Sequence, residues 1–421
     1  MKVLISAFAF SPYRGSECAV GWNIVNELSK IHDVTVICGD VRFDCRTKKE
    51  LECYYGEKWH LCNHSLHIEY VPPTKGIALL ERIHYAPGLW GLYYLAYNRW
   101  QKRAFKRAKV LCQERQFDLV YQLNMIGYRE PGYMWKLGIP FVWGPVGGAP
   151  NEPIAFHMMF SWCGCIKVAL RTVLNEVQKR LCLRARKAAK VAQKIWAVTD
   201  DDYRMIHNLW GAECEKMVET GTILRKDGRV RTWDGTSPLR IIWSGIHTSR
   251  KALPILLRAL AMCGSSGWRL DILGEGPETE AWKCLAEKLG IADGLEWHGR
   301  VSHENALKIM NDGHVLAFPS LKEGTPHVVL EALSLGLPVI CHDACGMGVV
   351  VTKECGFKMP LKDPNTSING FSNAILSILR KPHIVSEMSV GALKRAKELI
   401  WSEKVKAISS AFEIAVSRRQ Q

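Results

Sequence analysis

Short apolar runs alternate with helical patterns along the whole chain of 421 residues. This alternation is typical of parallel sheets that are covered by helices on both faces. We therefore predict an α/β protein built from doubly wound sheets. The predicted strands are, in chain order, 3–10, 34–38, 67–71, 119–123, 141–143, 195–198, 217–218, 239–243, 269–273, 295–297, 315–318 and 338–341.

The alternation is interrupted near the middle of the chain by a polar stretch rich in turn residues. Lys226-Asp227-Gly228 is followed by Asp234-Gly235-Thr236-Ser237-Pro238. Clusters of such residues between periodic segments indicate a linker, and the length suggests two or three domains. We predict an N-terminal domain over 1–234 and a C-terminal domain over 238–400, followed by a basic amphipathic helix over 402–418.

The composition is that of a globular protein with an excess of positive charge. Apolar residues make up 48% and charged residues 23%, and the net charge is +15. Such a balance favours an anionic partner, such as nucleic acid, a membrane surface or a phosphorylated ligand. No nucleic-acid-binding motif appears, so we do not expect nucleic acid to be the partner.

The compartment is indicated by the cysteines and the apolar runs. The 15 cysteines lack paired spacings for a metal, which favours reduced thiols in a cytoplasmic protein. No apolar run reaches the ~20 residues of a spanning helix. The apolar N-terminus, residues 1–10, is interpreted as a first strand rather than a signal peptide.

Two glutamates with seven residues between them follow one predicted strand. Glu323 falls in the loop at the carboxyl end of that strand, and Glu331 on the next helix. Ligands of open α/β sheets bind at this edge. For the helix we predict Thr325 as N-cap, Pro326 as first helical residue and Gly336 as the stop. The alternative is a loop glutamate beside a solvated helix face.

This segment resembles the Glu-x7-Glu motif of retaining glycosyltransferases of the GT4 type, which have the GT-B fold. The resemblance implies two Rossmann-like domains that face a central cleft. It also implies that the last helix crosses back, so that 401–421 return to the first domain, and Trp401-Ser402-Glu403 resembles the crossing point. Members transfer a sugar from a nucleotide diphosphate sugar, and the family pattern requires neither a metal nor another cofactor.

The resemblance also assigns roles in a donor site. Glu323 contacts hydroxyls of the donor sugar, and Lys251 reaches the diphosphate. Arg250 replaces a charge that the family often has where this chain has Ile246. A diphosphate in a water-poor site requires such fixed cations, whereas the alternative for both is a solvated helix start. The other expected donor contacts are Gly245, Gly299, Arg300, Val301, Gly324, Thr325, Pro326, His327, Val328 and Glu331, the last of these to the ribose.

Some of the expected donor contacts would be made by backbone amides. Those of 324–328 lie at a helix N-terminus, where exposed N–H groups and the helix dipole favour anions. Thr325 and Pro326 stand where the family commonly has an aromatic residue and a glycine, and proline removes one donor. His327 either faces the donor or packs.

Three loops of the first half resemble one branch of the same family, with Gly-Ser-Glu and Trp-Gly-Pro-Val-Gly-Gly segments. Many relatives have a histidine near 121–123, which this chain lacks, so no general base is predicted; a donor phosphate oxygen can take the acceptor proton. The alternative for these loops is ordinary turns and caps. The predicted acceptor or phosphate contacts are Gly15, Ser16, Glu17, Asn124, Arg129, Glu130, Gly147 and Gly148.

Two stretches, 85–109 and 156–190, combine aromatic or apolar residues with many basic ones. This pattern is typical of helices that lie on anionic membranes, but also of core-facing aromatics with a solvated basic face. We therefore hypothesise a cytoplasmic, peripheral membrane hexosyltransferase. It would act on a saccharide or lipid-linked saccharide in polysaccharide or lipopolysaccharide biosynthesis. The alternatives are a GT-B-fold epimerase or phosphorylase, or a non-enzymatic nucleotide-sugar or membrane-binding protein.

Overall fold

The computed structural model describes residues 1–56, 61–63, 65–84, 91–159 and 162–417, with side chains for 1–56, 65–84, 91–156 and 164–417. Residues 85–90 of the first aromatic stretch, 160 and 161 of the second, and Arg418 of the predicted last helix lie outside this part. The chain divides into two compact units. The first comprises 1–149, 178–219 and 401–421, and the second 150–177 and 220–400.

Both units are built on sheets of parallel strands. The first sheet has the order β3-β4-β2-β1-β5-β6-β7-β8, in which β3 alone is antiparallel to its neighbour, and the second has the all-parallel order β11-β10-β9-β12-β13-β14. The strands are β1 Lys2–Ala7, β2 Asp33–Cys38, β3 Leu61–Asn63, β4 Leu66–Tyr70, β5 Leu119–Asn124, β6 Phe141–Val146, β7 Lys194–Ala197, β8 Glu215–Lys216, β9 Leu239–Ser244, β10 Trp268–Leu273, β11 Leu295–Gly299, β12 Val315–Phe318, β13 Val339–His342 and β14 Gly356–Met359.

Helices connect these strands. In chain order they are α1 Glu17–Ser29, α2 Arg46–Tyr55, α3 Lys75–His84, α4 Gly91–Glu114, α5 Trp162–Leu181, α6 Leu183–Val191, α7 Asp200–Arg204, α8 Leu253–Met262, α9 Thr279–Lys288, α10 His303–Asn311, α11 His327–Ser334, α12 Cys345–Val350, α13 Pro364–Arg380, α14 His383–Glu398 and α15 Trp401–Ser417. In the described part, no helix is long and apolar enough to cross a membrane.

The central strands are buried on both faces, which explains why they appear as continuous apolar runs in the sequence. All six residues of β5 and of β6 are buried. One face of the first sheet packs against α4, and the other against α1 and the last helix, α15, through Trp401, Val405 and Phe412. The second sheet has its own core, in which α8 contributes six buried residues.

The predicted strands agree with the structure where the chain is apolar and differ at the sheet edges. The first strand ends at Ala7, not at residue 10. The prediction at 217–218 is wrong, because edge strand β8 consists of the exposed polar residues Glu215 and Lys216 and pairs only with β7. Strands β3 and β14 were not predicted: both lie at sheet edges, β3 has only three residues, and β14 mixes two apolar residues with a glycine and a lysine.

The predicted start of α11 is also one residue too early. Pro326 is the N-cap rather than the first helical residue, with an extended ψ of 119°, and Thr325 precedes it. Gly336 ends the helix as predicted, with a φ of +74° that favours glycine. Ser302 is the N-cap of α10, because its hydroxyl accepts from the amide of Asn305 at 3.2 Å.

The two units differ from the predicted domain limits in two segments. Residues 150–177 and 220–234 group with the second unit, although both were assigned to the N-terminal domain. Phe156 and Trp233 are the physical reason, since both lie in the core of the second sheet. Arg231 contributes as well, because its guanidinium donates to Leu335 O at 2.7 Å.

Candidate active site

A lysine and a glutamate from distant parts of the chain meet at the carboxyl end of the second sheet. Lys251 follows β9 and Glu323 follows β12, and these two strands are neighbours. Lys251 Nζ lies 2.7 Å from Glu323 Oε1, and the two side chains are only 13% and 12% exposed. Arg250 Nη1 lies 3.9 Å from the same oxygen. The structure thus brings together Lys251, Arg250 and Glu323, the three charged side chains that were expected to act on the donor.

Backbone contacts hold the two loops against each other. The carbonyl of Arg250 accepts from the amide of Leu321 at 2.9 Å, and the Arg250 guanidinium donates to Lys322 O at 3.1 Å. Ser320 Oγ donates to Glu323 Oε1 at 2.8 Å. Ser320 is a site residue that the sequence analysis missed, and its place three residues before Glu323 was the available signal. The position of the glutamate is therefore fixed by more than its ion pair.

The electrostatics of this pair suit a ligand that carries both phosphate and hydroxyl groups. Burial lowers the pKa of Lys251, and the Glu323 carboxylate opposes that shift. Removing two charges from water costs several kcal/mol per ion, which their attraction offsets only in good geometry. A diphosphate beside Lys251 would supply another anionic partner, and Glu323 would then be able to accept hydrogen bonds from sugar hydroxyls.

A cavity of about 440 Å³ adjoins the lysine. It is lined by loops that follow β9, β10 and β11, including Gly245, Gly274, Arg300 and Val301. A Cβ added at Gly245 would lie 3.5 Å from Lys251 Cδ, so the cavity wall and the lysine are in contact range. A Cβ at Gly274 would lie 2.0 Å from Gly245 O, which explains why glycine is needed where these two turns approach.

A second cavity of about 560 Å³ lies beside the first and shares Gly274 with it. Gly299 lines it together with Trp297 and His247. His247 is fully buried and its Nδ1 pairs with Thr279 Oγ1 at 2.8 Å. Burial lowers the pKa of His247 to about 4, so this ring is neutral at physiological pH. The predicted donor residue Gly299 thus faces a different cavity from Arg300 and Val301.

The second glutamate of the motif has a partner that the sequence did not indicate. Glu331 Oε1, on α11, lies 2.7 Å from Nε2 of His303, the first residue of α10. His327, also on α11, is partly buried, and this desolvation lowers its pKa against the effect of the Glu331 carboxylate. Thr325 is also buried. Residues 324–328 lead into α11, which begins at His327. Within this segment Pro326 has no backbone N–H and therefore cannot donate to a ligand.

The predicted acceptor loops of the first unit also meet. Glu17 Oε1 accepts from the amide of Ile126 at 3.2 Å, and Ile126 O accepts from the amide of Gly147 at 2.7 Å. A Cβ at Gly148 would lie 3.7 Å from Arg129 Nη1, whereas a Cβ at Gly15 would meet nothing within 4 Å. Ser16, between Gly15 and Glu17, has a φ of 55°. These loops follow β1, β5 and β6.

Two other predicted acceptor residues make structural contacts. Asn124 is fully buried; its Nδ2 donates to Ala9 O at 2.8 Å and its Oδ1 accepts from the amide of Ala9 at 3.1 Å. Glu130 forms an ion pair with Arg184 and accepts from Asn98 Nδ2 at 3.1 Å. Both contact sets join distant segments of the first unit, so they are structural contacts but not those of a turn or a cap, which was the alternative interpretation. Their part in binding an acceptor stays a prediction.

Glu17 gives a pH-dependent prediction. Burial raises the pKa of this carboxyl to about 7, against the effect of the Ile126 amide. A raised carboxyl pKa means that stability is lost as pH rises from about 4.5 to 7. Glutamine cannot ionise, so the Glu17→Gln variant should not show this loss. We expect the free energy of unfolding of the variant minus that of wild type to be about 1–3 kcal/mol larger at pH 8 than at pH 5. Urea denaturation at both pH values measures this difference.

The matched control is Glu27→Gln, on the same helix, whose carboxylate is 27% exposed and lies 2.5 Å from Nζ of the exposed Lys30. Its effect is expected to change by less than about 0.5 kcal/mol between the two pH values. An equal pH response of both variants would contradict the assignment of the titration to Glu17.

Asp271, Glu296 and His298 form a group whose ligand atoms lie within 4.8 Å of one another. Asp271 is already engaged, because Arg240 Nε and His298 Nε2 lie 2.6 and 2.7 Å from its oxygens. Burial would raise the pKa of Asp271, but these bonds outweigh it and lower the pKa. A guanidinium bound to the central carboxylate disfavours a cation there, so this group fits an ion-pair network better than a metal centre.

The second unit matches a known family. Residues 235–397 match the model of glycosyl transferases group 1, and this range contains both glutamates and Lys251. An uncharacterized glycosyltransferase of Haemophilus influenzae is 30% identical over 125 residues, or 29% of this chain and 33% of the relative. The D-inositol 3-phosphate glycosyltransferase of Streptomyces griseus is 27% identical over 189 residues, or 42% and 39%. The chain thus spans less than half of either relative.

Solved structures resemble the whole chain. The apo form of the lipopolysaccharide outer core galactosyltransferase WaaB has a TM-score of 0.64 at 16% identity, covering 98% of this chain and 99% of that one. HepE of Anabaena in complex with UDP has a TM-score of 0.61 at 14% identity, covering 98% and 100%. At such identities the likeness shows the fold. Residues 235–397 therefore carry a glycosyl transferases group 1 domain, in a chain with the GT-B fold.

Proposed function

We propose that this protein is a retaining glycosyltransferase. It moves a hexose-type sugar from a nucleotide diphosphate sugar to a saccharide or lipid-linked saccharide, in the biosynthesis of a polysaccharide or lipopolysaccharide. The observation that carries this proposal is the buried Lys251–Glu323 pair, with Arg250 beside it, next to the glycine-lined cavity. The family match over 235–397 supports the reaction class, and the relatives named above support the substrate class.

In this proposal Lys251 and Arg250 neutralise the charge that develops on the leaving diphosphate. The bond from the anomeric carbon to the diphosphate oxygen breaks, and the bond to the acceptor oxygen forms on the same face of the sugar. The acceptor proton passes to a donor phosphate oxygen, so no histidine base is needed. Fixed cations in a site shielded from water act most strongly on such charge.

Glu323 and Glu331 hold the two sugars of the donor rather than act as an acid and base. A glycosidase pair needs carboxyl groups on both sides of the scissile bond, whereas these two come from one loop and the helix behind it. Glu323 orients the transferred sugar while Ser320 supports it. Glu331 turns from His303 to the ribose hydroxyls, and the cavity lined by Arg300 and Val301 takes the base.

We further propose that transfer needs neither a metal nor another cofactor, because two cationic side chains stand where a divalent ion would otherwise balance the diphosphate. Activity is expected to be unchanged in EDTA. A loss of activity that Mg²⁺ or Mn²⁺ restores would contradict this part. The proposed location is the cytoplasmic face of the plasma membrane, where nucleotide sugars and lipid-linked acceptors meet.

A panel of nucleotide sugars tests the donor assignment by thermal stabilisation. A ligand that binds the native state at 100 times its Kd adds about 2.7 kcal/mol of stability. We expect at least one nucleotide diphosphate sugar to raise the Tm by several degrees, with UDP-hexoses tested first because HepE was crystallised with UDP. Lys251→Met is expected to abolish the shift. A panel that includes UDP-, GDP- and ADP-sugars without any shift would contradict the proposal.

A further inference from the structure

Helix α5 exposes apolar residues and buries a polar one. Asn175 is only 3% exposed, and its Nδ2 donates to Asn151 Oδ1 at 2.7 Å. Five apolar side chains of the same helix are each between 46% and 59% exposed. They are Ile166, Leu170, Val173, Leu174 and Val177, which together are called the α5 stripe. This is the reverse of the usual arrangement, in which a surface helix turns its apolar face inward.

The stripe is continuous along the helix. At about 100° per residue, its five members fall within an arc of about 100°, and they extend over about 17 Å of helix length. Asn175 lies on the opposite side of this projection. The exposed residues are therefore one face rather than scattered apolar positions, which on their own would need no explanation.

Basic residues accompany the stripe. Helix α5 contains Lys167, Arg171, Lys179 and Arg180 but a single acidic residue, Glu176. Lys167 and Arg171 are exposed and belong to the same unit as the stripe; Arg171 lies 3.8 Å from Glu152, which is itself buried. An apolar face with basic residues beside it is complementary to an anionic lipid surface.

The stretch 85–109 has no comparable exposed apolar face among its described residues. On α4, Tyr97 is 2% exposed and Trp100 is fully buried, and both belong to the core of the first unit. The indole of Trp100 donates to Val71 O at 2.8 Å. The aromatic residues described in that stretch thus serve mainly the core, although Tyr94 is exposed. Of the two candidates from the sequence, the second has the exposed apolar face.

We propose that the α5 stripe is the membrane-docking face of this protein. The helix lies in the plane of the interface, its five apolar side chains enter the boundary between headgroups and acyl chains, and Lys167 and Arg171 contact anionic headgroups. This proposal rests on the proposed function, because an enzyme with a lipid-linked acceptor must reach a bilayer. The docking itself needs no catalysis, so it can be measured separately.

A second copy of the chain is the other occupant to consider. Five half-exposed side chains present roughly 400–500 Å², and two such faces together remain below the ~1,200 Å² of stable protein interfaces. The basic residues beside the stripe would also repel those of a second copy. Both points favour lipid.

The test is co-sedimentation of the full chain with vesicles. We expect binding to vesicles with 30% anionic phospholipid in phosphatidylcholine at low salt, weaker binding at high salt, and little binding to pure phosphatidylcholine. Val173→Glu is expected to reduce the partition coefficient at least tenfold, because it places a charge among the inserted side chains. Lys167→Glu is expected to reduce binding to anionic vesicles about threefold or more.

Val390→Glu is the matched control. Val390 is 57% exposed on α14 in the same unit, against 59% for Val173, so both substitutions put the same charge at equally exposed helical valines. The control is expected to bind vesicles as wild type does, and both variants should keep the thermal shift with a nucleotide sugar. Equal binding by Val173→Glu and wild type would overturn the proposal.

Three other outcomes would also overturn it. Absence of wild-type binding to any vesicle is one. Equal binding to neutral and anionic vesicles at low salt is another, because the proposal assigns Lys167 and Arg171 to anionic headgroups. A dimer in light scattering that Val173→Glu dissociates, without any change in vesicle binding, would assign the stripe to a second copy. None of these results depends on whether nucleotide sugars bind.

Discussion

Replacing Lys251 by methionine is expected to lower kcat/KM for sugar transfer by about 10²–10⁴, because one fixed cation beside the leaving group is lost in a site shielded from water. The same change leaves the Glu323 carboxylate, 12% exposed, without the ammonium at 2.7 Å. Removing one partner of a buried pair costs about 3–5 kcal/mol of stability. Steady-state kinetics and urea denaturation of the same preparation measure the two effects.

A double variant separates catalysis from folding. Lys251→Met with Glu323→Gln removes both charges, so the free energy of unfolding should return to within about 1–2 kcal/mol of wild type. Transfer should nevertheless stay at the level of the single variant, since neither the cation nor the carboxylate is present. Recovery of both stability and activity would mean that this ion pair serves only to hold the two loops together.

A control for this pair comes from the same unit. Lys358 Nζ lies 2.8 Å from Asp343 Oδ1, in an ion pair that is not part of the proposed site. Lys358→Met is expected to change stability by about 1 kcal/mol or less and kcat/KM by less than about threefold. If Lys251→Met keeps more than half of the wild-type kcat/KM, its assignment to the leaving group is wrong.

Gly346→Ala is expected to disturb the site, although Gly346 itself is not one of the proposed site residues. An ideal Cβ at this position would lie 1.6 Å from Gly324 O and 3.0 Å from Thr325 Cα. Both are backbone atoms, so the loop that carries Glu323 must shift, by roughly an ångström or more, to admit one methyl group. Overpacking of this kind costs about 1–3 kcal/mol, and we also expect the thermal shift with a nucleotide sugar to fall by at least half.

The control for this prediction is Gly76→Ala. This glycine lies in helix α3, and a Cβ there would meet nothing within 4 Å. In an exposed helix the same change is expected to stabilise by about 0.5–1 kcal/mol. Denaturation curves and thermal shifts of both variants, measured together, provide the comparison. A Gly346→Ala protein with wild-type stability and an unchanged shift would contradict the close approach of α12 to the 324–325 backbone.

Local sequence signals were sufficient for most elements near the site. Ser302 caps α10 and Gly336 ends α11, because a hydroxyl that accepts an amide and a residue that tolerates positive φ act within a few residues. Pro326 shows the limit of such reasoning. Its fixed φ is compatible with both the N-cap and the first helical position, and an extended ψ of 119° makes it the N-cap in the structure.

Partners across the fold could not be predicted. His303 and Glu331 are 28 residues apart and on different helices, yet their side chains lie 2.7 Å apart. Asn124 was identified as an acceptor contact from its loop, but its amide is used by the backbone of Ala9, 115 residues earlier. A polar side chain at a strand end has the same appearance in the sequence whether it faces a ligand or another strand.

The sequence by itself determined the alternation of strands and helices, and with it the two parallel sheets and the loops that carry Lys251 and Glu323. Those features depend on apolar runs and turn residues that act locally. The tertiary structure decided that these two loops meet, because β9 and β12 are neighbours although 72 residues separate Lys251 from Glu323. It also decided that the apolar face of α5 points outward, since Asn175 is buried and bonded to Asn151 while the five residues of the α5 stripe stay exposed.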